Sequence, residues 1–353
     1  MKHRIRAGIA VLLAAWMLSG CAASTDQLYK EGSAKLEAGQ YEEAISCFKQ
    51  GIETKKRLAE NYRGLGIAYY CTGDYASAVT VLKQSLEEMD AVNDAFTIDV
   101  YYYLAESYRA RGELVRAAEA YTDLLEYTHT AEAYERRGTV YMEKGDTDRG
   151  IEDFEKAVSL DDSYSVIWQV YTVCKTYDME KQGRAFLEQA LEADSQTSQD
   201  AKGAYYRGLF NYTLGYYDQA RDALLQAVNK EQDETADEAR ILLGKVYLAM
   251  EDVVSARSVY QEYLNRKEDA PEAYNGLALC DIAEEKYDAA LQNIEQGLLT
   301  AEGDVKQSLL FNRIVVYEKK LDFTQAKTLM DEYSKAYPDD ETADREKQFL
   351  QTR

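Results

Sequence analysis

The chain has 353 residues, 46% of them apolar, which is enough to build a core, and it carries a formal net charge of −22. So acidic a surface repels nucleic-acid phosphates and anionic lipid headgroups, and it suits a solvent-facing body with basic partners. Only 2 prolines stand beside 30 tyrosines, Ala, Leu, Glu, Lys and Gln are abundant, and β-branched runs are few, which predicts an all-α protein.

The first element is an address. In MKHRIRAGIAVLLAAWMLSGC, Lys2, Arg4 and Arg6 precede an apolar run from Ala7 to Leu18 that is too short for a permanent span. It ends in Leu18-Ser19-Gly20-Cys21, which resembles the lipobox of bacterial lipoproteins. That resemblance implies a signal peptide over 1–20, cleavage before Cys21, a diacylglycerol on the Cys21 thiol and a short tether over 21–24. The protein is then expected in the bacterial envelope, extracytoplasmic and held to a membrane by lipid alone, each buried methylene contributing about 0.8 kcal/mol.

From residue 25 onward the chain repeats itself. Tyr62-x-x-Leu65-Gly66-x-x-Tyr69 matches Arg240-x-x-Leu243-Gly244-x-x-Tyr247, and Tyr101-x-x-Leu104-Ala105-x-x-Tyr108 matches Tyr274-x-x-Leu277-Ala278. A bulky, small, bulky series follows each, as in Tyr75-Ala78-Leu82, Leu114-Ala117-Tyr121, Val253-Ala256-Tyr260 and Tyr287-Ala290-Ile294. Units start at Thr25, Ala59, Ile98, Ala131, Tyr164, Ala201, Asp237, Pro271 and Gln307, and the widest spacing fits an insertion around Asn93 to Thr97. The pattern resembles the tetratricopeptide repeat. It implies an all-α, right-handed superhelical solenoid of about nine helix–turn–helix units over 25–340, closed by a cap helix over 341–353.

Physical reasons stand beside the name. Counting from each unit start, positions 4, 7, 8 and 11 share one helix face. Gly or Ala at position 8 (Gly32, Gly66, Ala105, Gly138, Gly208, Gly244, Ala278) admits the second helix, and small residues at position 20 (Ala44, Ala78, Ala117, Gly150, Ala220, Ala256, Ala290, Ala326) receive the bulky side chain. Gly39, Gly73, Gly112, Gly145 and Gly215 fall at turns, where a left-handed residue ends a helix. Tyrosines at pattern positions, Tyr69 among them, are read as core. The fifth unit departs: Tyr171 holds the small position, Cys174 replaces an aromatic, and a polar stretch Ser195 to Asp200 follows, which reads as a weaker joint between two four-repeat halves or equally as a repeat that drifted. Cys47, Cys71, Cys174 and Cys280 show no C-x-x-C pairing and are expected to be small buried side chains, their oxidation state open.

Chemistry is sparse. His129 is the only histidine after Cys21, and there is no G-x-S-x-G, H-E-x-x-H or P-loop, so neither enzyme, cofactor nor metal is expected. Asp146-x-Asp148-x-Gly150 lacks the spacing of a calcium loop. What remains is an interaction surface. Positions 2, 5, 9 and 12 lie on another stripe of the first helix and are expected to face a concave groove with an acidic edge of Asp26, Glu60, Asp99, Glu132, Glu238 and Glu272. The candidate partner-binding residues are Tyr29, Arg63, Tyr70, Tyr102, Arg109, Tyr205 and Tyr212. An extended peptide or helix with apolar and basic residues suits such a groove. A glycan stacked on tyrosines is the alternative.

Overall fold

The computed structural model describes residues 25–89, 94–193, 200–230 and 234–353. The signal sequence, Cys21, the tether and most of the polar stretch after the fifth unit lie outside the described residues. Among the described residues there are nineteen helices and no strand. In chain order they are α1 (Thr25–Glu37), α2 (Tyr41–Glu53), α3 (Leu58–Cys71), α4 (Tyr75–Glu87), α5 (Asp94–Ala110), α6 (Leu114–Leu125), α7 (Ala131–Glu143), α8 (Thr147–Leu160), α9 (Tyr164–Thr176) and α10 (Glu180–Ala193). They continue as α11 (Ala201–Leu214), α12 (Tyr217–Lys230), α13 (Glu234–Ala249), α14 (Val253–Arg266), α15 (Pro271–Ala283), α16 (Tyr287–Leu298), α17 (Gly303–Lys319), α18 (Phe323–Ala336) and α19 (Glu341–Gln351). No helix among the described residues is long and apolar enough to cross a membrane.

One turn geometry recurs inside the hairpins. Two residues before the second helix the backbone is left-handed, at φ 72° for Gly39, 80° for Gly73 and 84° for Gly215. The Gly73 N–H donates to Tyr70 O at 3.0 Å and the Asp74 N–H to Tyr69 O at 2.9 Å, so the last carbonyls of α3 are satisfied. At four turns the same place is held by Asp178, Glu251, Glu285 and Leu321, with φ between 58° and 60°. A side chain there costs roughly 1–2 kcal/mol, part of which glycine would return as chain entropy in the unfolded state. Leu321→Gly is therefore expected to raise stability by about 0.5–1 kcal/mol, read as a higher urea midpoint. Leu321 is 73% exposed, so no packing is lost.

The core is built by rings and leucines of second helices set against glycines. An ideal Cβ on Gly32 would lie 2.8 Å from Phe48, and one on Gly138 2.7 Å from Phe154. Tyr260 lies between Gly244 of its own hairpin and Gly276 of the next; a methyl on either would overlap the ring. Ala44, Ala78, Ala117, Ala220, Ala256, Ala290 and Ala326 are wholly buried, as position 20 requires.

Two compact units result, one ending at Gly183 and one beginning at Arg184. The division falls within α10, in the fifth unit. There the sizes are exchanged rather than lost: Tyr171 is buried at the small position, and glycine instead of alanine stands at position 20, where an ideal Cβ on Gly183 would lie 2.8 Å from Cys174 Cβ and 3.2 Å from Tyr171.

The extra residues before Ile98 form, from Asp94 onward, the opening turn of α5, with Thr97 buried; Asn93 lies outside the described residues. Two expectations change. Cys71 is exposed at the end of α3, whereas Cys47, Cys174 and Cys280 are buried, and all four are free thiols. Most pattern tyrosines, Tyr69 and Tyr141 among them, are only half-buried; of the set only Tyr108, Tyr121 and Tyr260 are buried. A phenol at a hairpin edge keeps its hydroxyl in water while its ring covers apolar surface.

At the C-terminal end, Ala343 and Leu350 of α19 close over Ile314, Leu329 and Met330, while Phe349 stays exposed. Glu318 of α17 meets Glu346 of α19, and burial together with the Glu346 carboxyl pushes the Glu318 pKa up to about 7. The folded state therefore holds a proton that the unfolded chain releases near 4.5, so the end of the array loses stability as pH rises from about 4.5 to 7. Glu346→Gln is expected to flatten that part of the melting temperature–pH curve relative to the unsubstituted chain. An unchanged slope would mean the pair contributes nothing.

Candidate partner-binding face

First helices touch in succession within each unit: α1, α3 and α5, and α7 and α9, before Gly183; α11, α13, α15 and α17 after Arg184. Their outer stripes therefore run side by side. After Arg184 this row holds two open clefts. The first, about 720 Å3, is lined by Tyr205, Leu209, Ile241 and Leu242, with Asp237, Glu238 and Glu272 around it and Lys245 and Lys267 at the wall. The second, about 770 Å3, is lined by Tyr212, Leu248, Leu279 and Phe311 together with Asn275, Asn312 and Lys245.

The anticipated rows thus supply Tyr205, Leu209, Glu238 and Glu272 to one cleft and Tyr212, Leu248, Asn275, Leu279 and Phe311 to the other. Burial, with Glu238 adding to it, pushes the Tyr205 hydroxyl up to about 12, and burial with Tyr217 raises that of Tyr212. Both phenols therefore stay neutral hydrogen-bonding groups at physiological pH. In the second cleft Asn312 Nδ2 donates to Asn275 Oδ1 at 2.8 Å, and Tyr333 Oη and Gln307 Nε2 donate to Asp340 Oδ2 at 2.6 and 3.1 Å.

Before Gly183 the same row is filled from within. The Arg57 guanidinium lies 5.3 Å from the Tyr29 ring centre and 2.7 Å from Asp26. Arg63 pairs with Asp99 at 3.0 Å and lies over Phe96. Arg109 Nε donates to Glu143 Oε1 at 2.8 Å, and Arg109 lies 3.6 Å from Glu106. Arg136 lies over Tyr102 and reaches Glu132 at 3.3 Å and Glu106 at 3.5 Å, while the buried Tyr121 hydroxyl donates to Glu106. Tyr70 is ringed by Tyr75 and Tyr103, with centroids 5.7 and 5.4 Å away.

Arg63 and Arg109 are ion-paired with the following repeat, and Ile67 and Met142, at positions 9 and 12 of their units, are buried. Lys245 and Glu106 were missed although both stand at position 9; that row was read for its apolar members. Among the described residues no cluster of His, Cys, Asp and Glu is placed to hold a metal ion.

Stacked helix hairpins with small residues at fixed register define a helical repeat protein. The tetratricopeptide repeat family matches residues 29–94 and 241–304, 99–127, and 131–164. Together these stretches cover more than half of the chain, which belongs to that family. Among solved structures it is similar to yeast Tom70, at 15% identity over 93% of this chain and 88% of that one, with a TM-score of 0.51. It is also similar to a tetratricopeptide repeat protein from Parabacteroides merdae, at 14% identity over 72% of this chain and 99% of that one (TM-score 0.47). A third is pilF of Pseudomonas aeruginosa, at 22% identity over 63% and 96% (TM-score 0.41). At such identities the likeness concerns the fold. No curated protein sequence matches the chain.

Proposed function

We propose that the chain is a lipid-anchored, extracytoplasmic scaffold that binds a segment of another protein along the outer stripes of its first helices. What supports this most is the row of α11, α13, α15 and α17, where Tyr205, Leu209, Tyr212, Leu248, Leu279 and Phe311 line open clefts edged by carboxylates. Apolar surface with polar groups at its margin is what a peptide or helix anchor requires. The anchor is Cys21, outside the described residues, and its lipid would keep the array at a bacterial envelope membrane.

A photo-crosslinking residue at Tyr212 or Leu279 is expected to give a discrete protein adduct in envelope extract, and the same residue at Val254 none. Val254, on α14, is 77% exposed and lies off this face. Equal adducts from all three positions would remove the face from the proposal. Separately, Cys21→Ser is expected to leave an unprocessed precursor and to release the body from membranes; a processed, membrane-bound variant would remove the anchor.

A further inference from the structure

The second cleft, about 770 Å3, has an amide pair in its wall. Asn312 Nδ2 of α17 donates to Asn275 Oδ1 of α15 at 2.8 Å. Whichever amide donates, such a pair keeps one NH2 group and one C=O to spare. Here these are Asn275 Nδ2 and Asn312 Oδ1, both on half-buried residues, and neither makes another hydrogen bond among the described residues. Tyr212, Leu248, Leu279 and Phe311 line the same cleft. A donor beside an acceptor is what one peptide group requires. That group is free at the side of an extended chain, whereas in a helix it is already bonded internally.

The cleft also carries one cation and one carboxylate that form no ion pair among the described residues. Lys245 of α13 is exposed and borders both clefts, and three and four residues away on its own helix stand Ile241, Leu242, Leu248 and Ala249, none of them an acid. Asp304, in the first turn of α17, is exposed as well. The other carboxylate of the cleft, Asp340, is already taken by Tyr333, Gln307 and the N–H groups that open α19. Before Gly183 the arginines at groove positions are not left so. Arg63 and Arg109 are met by Asp99 and Glu143 of the following unit.

We infer that this cleft takes an extended segment of the partner protein, with an acidic side chain at Lys245, an apolar one among Leu248, Leu279 and Phe311, and a basic one at Asp304. Between the charges, one peptide group of that segment bonds the Asn275–Asn312 pair. The inference rests on the proposed interaction face and names the segment that it reads. Lys245 and Asp304 belong to first helices two units apart, with α15 between them. Packed helices lie about 8–10 Å apart, which sets these two axes roughly 16–20 Å from each other. Lys245 stands eight residues after its unit start and Asp304 three before its own, an offset of about 16 Å along the helices. The oblique path is thus roughly 24 Å, about seven residues of extended chain or about sixteen of helix. A helix that spanned it would still leave the amide pair nothing to bond.

The test uses the full chain in detergent at low salt and three fluorescein-labelled, C-terminally amidated peptides of leucine, valine and serine. Two charged residues stand about seven apart in each: glutamate and arginine in the first, arginine twice in the second, glutamate twice in the third. The unsubstituted chain is expected to bind the first at least about threefold more tightly than the others. A surface that merely attracts cations would take the second. Lys245→Glu should move the preference to the second peptide and Asp304→Lys to the third; both side chains are exposed, so the fold is kept. Methylating the central amide nitrogens of the first peptide should weaken it about fivefold or more, and that penalty should vanish in Asn275→Ala. Preferences that do not follow the substituted charge, no binding by any peptide, or a penalty undiminished in Asn275→Ala would overturn the inference. Equal binding of all three that is lost in Leu279→Ala would overturn it and leave the interaction face standing. Charge-matched binding with no adduct from Tyr212 or Leu279 in envelope extract would uphold the cleft's chemistry and remove the scaffold reading.

Discussion

Tyr260→Ala is expected to cost about 3–5 kcal/mol, the range for losing a wholly buried large aromatic. The ring fills the space between Gly244 and Gly276, which have no side chain to move into a cavity. It also packs with Ala256, Ala273 and Leu277, so its loss loosens both its own hairpin and the following one. Tyr212→Ala is the comparison: that ring is half-buried at the edge of a cleft, and its loss should cost about 1 kcal/mol. Urea unfolding followed by circular dichroism separates the two. Similar losses would mean that the glycine-lined slot is no tighter than the open face.

A second large effect is expected from a carboxylate. Asp281 of α15 is 2% exposed, accepts from Arg257 of α14 at 2.8 Å and from Asn293 of α16 at 2.7 Å, and so ties three helices together. Asp281→Ala leaves the Asn293 amide without this acceptor and Arg257 with Glu284 alone, and a loss of about 2–3 kcal/mol follows. The cost stays below that of a fully buried ion pair because Arg257 also reaches Glu284 near the surface. Asp288→Ala removes an ion pair with Lys320, but Asp288 is 87% exposed, and the change should fall within about 0.5 kcal/mol. If both variants melt alike, Asp281 is not the tie described.

Much of the fold was legible because small residues mark register. Gly32, Gly66, Gly138, Gly208 and Gly244 sit where a second-helix side chain must approach, and each is recognisable without any partner in view. The left-handed turns at Glu251, Glu285 and Leu321 were not legible, since neither Glu nor Leu favours that conformation; the hairpin imposes it. Tyrosine depth was not legible either, because the same residue type serves inside at Tyr121 and at the edge at Tyr69. As for the face, the stripe could be read but not its contents. Arg63 and Arg109 looked available until Asp99 and Glu143, each one repeat further on, were seen to hold them. Pairing position 5 of one unit with position 2 of the next would have exposed the first of these.

The slot around Tyr260 also bears on how such a chain can change over generations. Its ring needs a glycine at position 6 of whichever unit comes next, and Gly276 supplies it; Phe48 uses Gly64 in the same way. Loss of the intervening unit, from Pro271 to Lys306, would bring Asn312 to that place. The units therefore cannot be dropped or shuffled as interchangeable blocks. At these junctions each hairpin is fitted to one successor, and lengthening or shortening the array by whole repeats demands a matching substitution next door.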